Sequence, residues 1–405
     1  MPVAATRLIR FIVVAALVAA AAPASATVQR TFVASHGSDA NACSLPSPCR
    51  SFNAAIANTT GGGEVVILDT AGYGPMVIDR SIKVIGPSGV YGGISVLGAA
   101  SGITTGVVIN APGATVTLRG LDISGVPGNA PLPSIGIDIQ DAKAVHIEKS
   151  SIGNFTQDSS ACIRATSPGG QRKLFLVDSF LRECRTFVLA DGTLGRVDLQ
   201  IDNTRFERGL NTVTAGNDDG IVMIGGGQSS LRNSSIRGIS NTAISTTNST
   251  GFGSGLLISG SQIYDFGKAI AIDSSSIAQV ALERSEIGFS SGSSAALTVN
   301  ATAGGTARLS LLETLVQRTD AIATSGFGGG LLNVDIVRSK FFVANRILDH
   351  GYGVVTLNDV HMNVCTESLV NSGSAAVYSK DKNNLINCDD APGPAYITPI
   401  LIPGK

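Results

Sequence analysis

Tryptophan is missing from this 405-residue chain, only 5% of its residues are aromatic, and only 15% are charged. Neutral sugars are commonly held against flat aromatic rings, so this shortage disfavours a neutral-glycan platform and leaves a charged-glycan site open. A hydrophobic fraction of 43% at such low charge excludes a disordered chain. No long basic run occurs and the net charge is −1, which disfavours a nucleic acid as partner. Helical periodicity is nearly absent after residue 60, and globin, bundle and βαβ readings fall with it. After the first 26 residues no stretch approaches the roughly 20 apolar residues of a membrane-spanning helix.

Residues 1–26 carry Arg7 and Arg10, then an apolar run from Phe11 to Ala22, then Ala24-Ser25-Ala26. This is the pattern of a secretory signal peptide cleaved near Ala26. The remaining chain has 27 basic against 30 acidic side chains. Six cysteines in an exported chain point to disulfides, because no C-x-x-C pair or Cys/His cluster offers a metal site. Cys43 with Cys49, Cys162 with Cys184 and Cys365 with Cys388 are favoured because each pair is close in sequence. Other connectivities stay open among the 15 that six cysteines allow.

The mature chain repeats a hexad: apolar, any, any, Ser or Thr, any, apolar. Clear copies begin at Ile147, Leu176, Ile201, Leu231, Ile258, Leu282, Leu311 and Ile336, with degenerate ones at Leu118 and Leu357. Their starts are 29, 29, 25, 30, 27, 24, 29, 25 and 21 residues apart. Short alternating segments such as Val116-Thr-Leu118 and Val197-Asp-Leu-Gln-Ile201 sit beside the hexads and have the period of a strand. One hexad per coil of a parallel β-solenoid accounts for the regularity; separate sandwich hairpins do not. Coils would stack about 4.8 Å apart, with the apolar hexad positions in an internal column. Eight hydroxyls from Ser150 to Ser339 would form a structural ladder at a strand corner.

These hexads resemble the right-handed parallel β-helix proteins of the pectin-lyase-like superfamily over about Val65 to Asn387. The segments Arg30-Thr-Phe-Val-Ala-Ser, Gly37 to Cys43 and Pro48 to Ile56 are similar to the entry segment of exported bacterial members. The resemblance implies a first strand and a capping helix, and Phe52, Ala55 and Ile56 supply the apolar stripe that would plug the end of the core. The expected fold is all-β: one right-handed parallel β-helix of about twelve coils with a short N-terminal capping helix. The leader would occupy 1–26, the cap 27–64, the solenoid 65–390 and a Pro-rich tail or cover 391–405.

The resemblance makes polysaccharide cleavage the first enzymatic expectation. The polygalacturonase branch uses clustered aspartates with a His-Gly and an Arg-x-Lys. Asp218-Asp219 and His350-Gly351 are present, but no Arg-x-Lys follows. Five coils between them amount to about 24 Å, whereas inverting carboxylates stand roughly 6.5–9.5 Å apart. Asp218 and Asp219 are expected to be turn residues. The string Gly288-Phe-Ser-Ser-Gly292 lies in a Ser/Gly-rich connection that lacks the strand-turn-helix context of a nucleophile elbow. His36, His146, His350 and His361 fall on separate coils without metal-ligand spacing.

Directly after successive hexads stand Arg182, Glu183 and Arg185, then Arg205, Glu207 and Arg208, then Arg237, then Tyr264, Asp265 and Lys268. Equal offsets become adjacent rows in a solenoid, so these side chains are expected to gather on one face. Guanidinium groups offer paired donors to a planar carboxylate, which suits a uronate polymer. Arg237 and Tyr264 are the candidates for proton transfer. Arg182, Arg185, Arg205, Glu207, Arg208, Asp265 and Lys268 are the candidates for substrate binding. Pectate-lyase-type elimination would add Ca2+ as cofactor. The plain alternative for the same residues is a solvated face of weak ion pairs. The expected function is a secreted protein that binds an extracellular acidic polysaccharide and cleaves it by β-elimination if it is an enzyme. The competing reading is a non-catalytic, adhesin-like rod.

Overall fold

A computed structural model of the chain describes residues 27–402 apart from 99–101, 103, 127–131, 209–217, 249–250, 289–294, 303, 318–319, 327–329, 343–345, 364–366, 381–383 and 388–399. The leader of 1–26, the Cys365–Cys388 pair and most of the string 288–292 therefore lie outside the described residues. All strand pairings between neighbouring coils are parallel and join into a β-solenoid of about ten turns, close to the twelve expected. Among the described residues no helix is long and apolar enough to cross a membrane.

The hexad sets the register. Its first position stacks Leu118 on Ile147, Leu176, Ile201, Leu231 and Ile258. Its last position stacks Ile123 on Ile152, Leu181, Phe206, Ile236 and Ile263. The apolar positions thus make two internal columns where one was expected, each residue at most 3% exposed. Between the columns the chain turns a corner at the third hexad position. That residue is left-handed in every copy: Gly120, Lys149, Asp178, Asn203, Asn233, Gly260, Arg284, Glu313, Arg338 and Asp359. For a residue with a Cβ this conformation costs about 1–2 kcal/mol, so the corner needs compensation.

The hydroxyl ladder supplies it. Ser234 Oγ donates to the Arg232 carbonyl at 2.6 Å and accepts the Thr204 backbone N–H at 3.1 Å. Ser261 accepts from Ser234 in the same way at 3.2 Å, Ser285 from Ser261 at 3.3 Å and Ser339 from Thr314 at 3.1 Å. All eight ladder residues are buried. Each hydroxyl closes its own corner, and the six serines also satisfy an N–H of the coil before, which would otherwise be a buried, unpaired donor, whereas Thr204 and Thr314 reach the Leu176 and Leu282 carbonyls of that coil. At the far end Asn384 Oδ1 takes over and accepts from the Val360 N–H at 2.8 Å.

The N-terminal end of the core is closed by the helix Phe52–Ala57, which buries Phe52, Ala55 and Ile56. Ser51 caps it by accepting from the Ala54 N–H, and Asp39 holds Ser51 through Oγ and N–H bonds of 2.8 Å each. The Cys43–Cys49 disulfide lies beside this helix, and Cys162–Cys184 ties two successive coils. Asp69 latches the first strand to the cap: it accepts from the Ser35 N–H at 2.8 Å, from Ser35 Oγ at 2.6 Å and from the Tyr73 hydroxyl. At the other end, Ile400–Ile402 pairs with Tyr378, Ser379 and Lys380, so this part of the Pro-rich segment adds a rung.

Two outcomes follow for stability. Ser234→Ala strands the Thr204 N–H in the core and should cost about 1–3 kcal/mol, read from urea unfolding; an unchanged midpoint would show that the ladder is dispensable. The hydrogen bonds from Ser35 and Tyr73 lower the Asp69 pKa from 3.8 to about 2. A depressed carboxyl pKa gives stability that is fully present above about pH 4 and is lost as the pH falls toward 2. Asp69→Asn should flatten that part of a thermal-stability curve, and an unaltered pH profile would remove Asp69 from the latch.

Candidate functional site

The arginine strip lies on the short strands that follow the corner. Strands Phe180–Cys184 and Arg205–Glu207 and the first residues of Ser235–Asn248 and Gln262–Ser274 pair in register. Side chains alternate across a strand, so the central hexad residue points inward and its two neighbours point outward. One outward row consequently runs Gly153, Arg182, Glu207, Arg237, Tyr264, Gly288. The next runs Ser151, Phe180, Arg205, Ser235, Gln262, Glu286.

Within these rows the guanidinium groups are held by aromatic faces. The Arg205 guanidinium lies 5.2 Å from the centre of the Phe180 ring, and that of Arg237 lies 5.5 Å from the centre of the Tyr264 ring. Such contacts contribute about 0.5–1 kcal/mol at exposed sites and leave N–H donors at the guanidinium edge. Arg205 bonds Glu207 at 2.5 Å, and Arg237 approaches Asp265 at 3.9 Å. With side chains 64% and 58% exposed, Arg205 and Arg237 remain open to a ligand. Arg182 folds back across Gly153, where an added Cβ would lie 2.7 Å from Arg182 Cγ.

Tyr264 is nearly covered. Its ring lies over Gly288, where a Cβ would come within 3.0 Å of Cε1. Burial, reinforced by its hydrogen bond to Glu286, pushes its hydroxyl well above the usual phenol range. The phenol keeps its proton near neutrality: it can give one in a reaction but does not act as the base. Asp265 takes the left-handed conformation at the second corner of its coil, as Glu183 does three coils earlier. Lys268 comes after that corner, paired with Thr242, and does not join the strip.

Arg185 and Arg208 do not join it either. Both turn toward Asp218, at 3.0 and 2.6 Å, and Arg208 also donates to the Cys184 carbonyl at 3.2 Å. The Arg208 and Asp218 side chains are each only 3% exposed. Asp218 further accepts from Ser240 Oγ at 3.0 Å. Asp218 is thus the hub of a buried ion cluster, and Asp219 opens the strand Asp219–Arg232; the expectation of two turn residues is corrected. Burial pushes the Asp219 carboxyl above its ordinary range. The physical reason is position: the pair stands where the chain enters the core-covering sheet, and two guanidinium groups are needed to neutralise what is buried there.

Sequence reasoning missed Phe180 and Glu286, which seat Arg205 and Tyr264. The signal was available, since Phe180 holds in its coil the hexad offset that Arg205 holds in the next. Among the described residues no three His, Cys, Asp or Glu side chains gather within reach of one metal ion. His146 stacks on Phe175 at 4.3 Å between ring centres, outside the strip, and burial lowers its pKa.

No family model matches the chain, and no curated protein does. Among solved structures it is similar to pectate lyase Pel9A, with 13% identity over 92% of this chain and 82% of that one at a TM-score of 0.38. A rhamnogalacturonan lyase matches at 12% identity over 88% and 87%, TM-score 0.45. A family 28 exopolygalacturonase of Yersinia enterocolitica matches at 10% identity over 93% and 78%, TM-score 0.44. Likeness at this level assigns no residue a role in this chain; the resemblance read from the hexads holds for the solenoid itself.

Removing the hub of the buried cluster takes the Asp218 carboxylate from the buried Arg208 guanidinium, while Arg185 keeps Asp158 at 3.1 Å. Asp218→Ala should therefore cost about 3–5 kcal/mol in urea unfolding, and a loss below about 1 kcal/mol, the scale of an exposed pair, would show that the cluster is solvated.

Proposed function

We propose that this protein is exported and binds an acidic polysaccharide laid along the solenoid axis on the strip. The observation that carries this reading is the register of Arg182, Glu207, Arg237 and Tyr264 in one outward row with Phe180 and Arg205 beside it. A pyranose unit repeats over a length close to the ~4.8 Å strand spacing, so a chain of sugars meets one coil per unit. Arginines two coils apart then face carboxylates two units apart, each offered in-plane donors. Two disulfides suit an oxidising compartment.

Binding is favoured over cleavage by the state of the residues. In an elimination Arg237 would take the proton next to the uronate carboxylate while Tyr264 gave one to the leaving oxygen, but Tyr264 is nearly covered and is engaged with Glu286. Calcium would have to be held largely by the substrate's own carboxylates. The adhesin-like rod remains the competing reading, and it predicts no uronate affinity.

Isothermal titration with polygalacturonate and alginate tests the proposal. The wild type should bind at low salt and weaken as salt rises, because exposed charges are screened. Arg237→Ala and Arg205→Ala should each weaken polymer binding about tenfold, the scale of one charged hydrogen bond. Absence of binding to either polymer would favour the rod. A rise in the ultraviolet absorbance of unsaturated uronate, abolished by Arg237→Ala, would add lyase activity at the same site.

A further inference from the structure

Every hexad corner described above is made by one left-handed residue, and one earlier corner is not. Ile85 pairs with Arg119 and Gly92 pairs with Leu121. Six residues, 86–91, therefore stand where Gly120 alone stands on the next coil. This insert turns back at Gly89, whose φ is +85°, and is closed by a 3.1 Å bond from the Val90 N–H to the Pro87 carbonyl. Tyr91 is fixed at its base: its N–H donates to Thr70 Oγ1 at 3.0 Å, and its carbonyl accepts from the Ala71 N–H at 3.1 Å.

The insert walls a groove of about 540 Å³ over the corners of the next coils, lined by Tyr91, Asp122, Lys149, Asp178 and Phe180 among others. That volume falls within the roughly 300–1,000 Å³ of small-ligand sites. The Tyr91 ring lies over Gly93, where a Cβ would come within 2.4 Å of Cε1, and the side chain is 44% exposed. Burial raises the Tyr91 hydroxyl pKa, the charge of Asp122 raises it further and that of Arg182 opposes this, so both charged groups stand within electrostatic reach of it. The backward lean of Arg182 over Gly153 aims it at this end of the solenoid. Arg119 lines the groove but is engaged with Glu148 at 2.5 Å. Lys149 has no ion-pair partner among the described residues.

We propose that this groove is a binding site for the terminal unit of an acidic oligosaccharide. A sugar ring rests against Tyr91 and Phe180, its carboxylate meets Lys149 and Arg182, and its hydroxyls donate to Asp122 and Asp178. The mixture decides the class: two carboxylates beside two cations suit a ligand with one acid group and several hydroxyls, and they repel a bare polyanion. Phe180 lines the groove and belongs to an outward row, with Arg182 beside it on the same strand, so the groove adjoins the head of the strip. The inference rests on the reading that the strip binds an acidic polysaccharide.

Titration with tri-galacturonate and tri-mannuronate, beside their parent polymers, tests it. Tyr91→Ala and Lys149→Asn change surface side chains, and Asn tolerates the left-handed corner. Each should weaken trimer binding at least tenfold and polymer binding by less. Replacement of residues 86–91 by one glycine rebuilds the ordinary corner and should abolish trimer binding with the thermal midpoint preserved. Trimer affinity within twofold of wild type in all three variants overturns the groove, as does polymer binding without any trimer binding. Absence of both overturns the strip and the groove together.

Discussion

Parallel stacking in strict register is the constraint on which the rest of this molecule depends. Each coil hydrogen-bonds only to its neighbours, so a residue's offset from the hexad fixes its face and its row. The register survives the corner because a left-handed residue is followed there by a buried hydroxyl that serves two coils at once. Without the hydroxyl, the corner would combine an unfavourable backbone conformation with an orphaned N–H. With it, loops between coils vary in length while the corner stays fixed. The strip and the groove are both consequences, one of keeping the offset and one of interrupting it once.

The hexads, the strand segments and the hydroxyl ladder were legible in the sequence because they recur at one period. The left-handed corner was not, because Lys149, Asp178, Arg284, Glu313 and Arg338 carry no glycine signal. Their conformation is imposed by the two apolar columns on either side. The Asp218 cluster was illegible for another reason: Arg185 stands 33 residues before Asp218 and Arg208 stands 10 before it, and nothing in their offsets says that these arginines turn inward while Arg182 and Arg205 turn outward. Arg185 and Arg208 stand just past the ends of their strands, Phe180–Cys184 and Arg205–Glu207, and that is visible only once the strand ends are known. The insert at 86–91 was illegible because the hexad repeat begins at Leu118, one coil after the corner it interrupts.

Charge on the strip is partitioned by burial. Arg208 serves stability, since the desolvated Asp218 would be costly alone. Arg205 and Arg237 rest on aromatic rings at the surface, where ion pairs contribute little to folding. Their exposed guanidinium groups are therefore free to serve recognition, and substitutions there should touch affinity more than stability.

The row itself has ends. Gly153 lies immediately before Arg182 and Gly288 immediately after Tyr264, and each leaves space that its neighbour's side chain occupies. Arg182 accordingly leans toward the capped end and Tyr264 toward the opposite end, so four coils form a bounded unit with direction. A rod whose only task is stiffness needs neither a boundary nor a direction, because every coil contributes equally to its length. A bound polymer needs both, since its two ends differ chemically. The lean of Arg182 toward Tyr91 places the cationic end of the row beside the groove, where a chain terminus with a single carboxylate would meet its strongest charge.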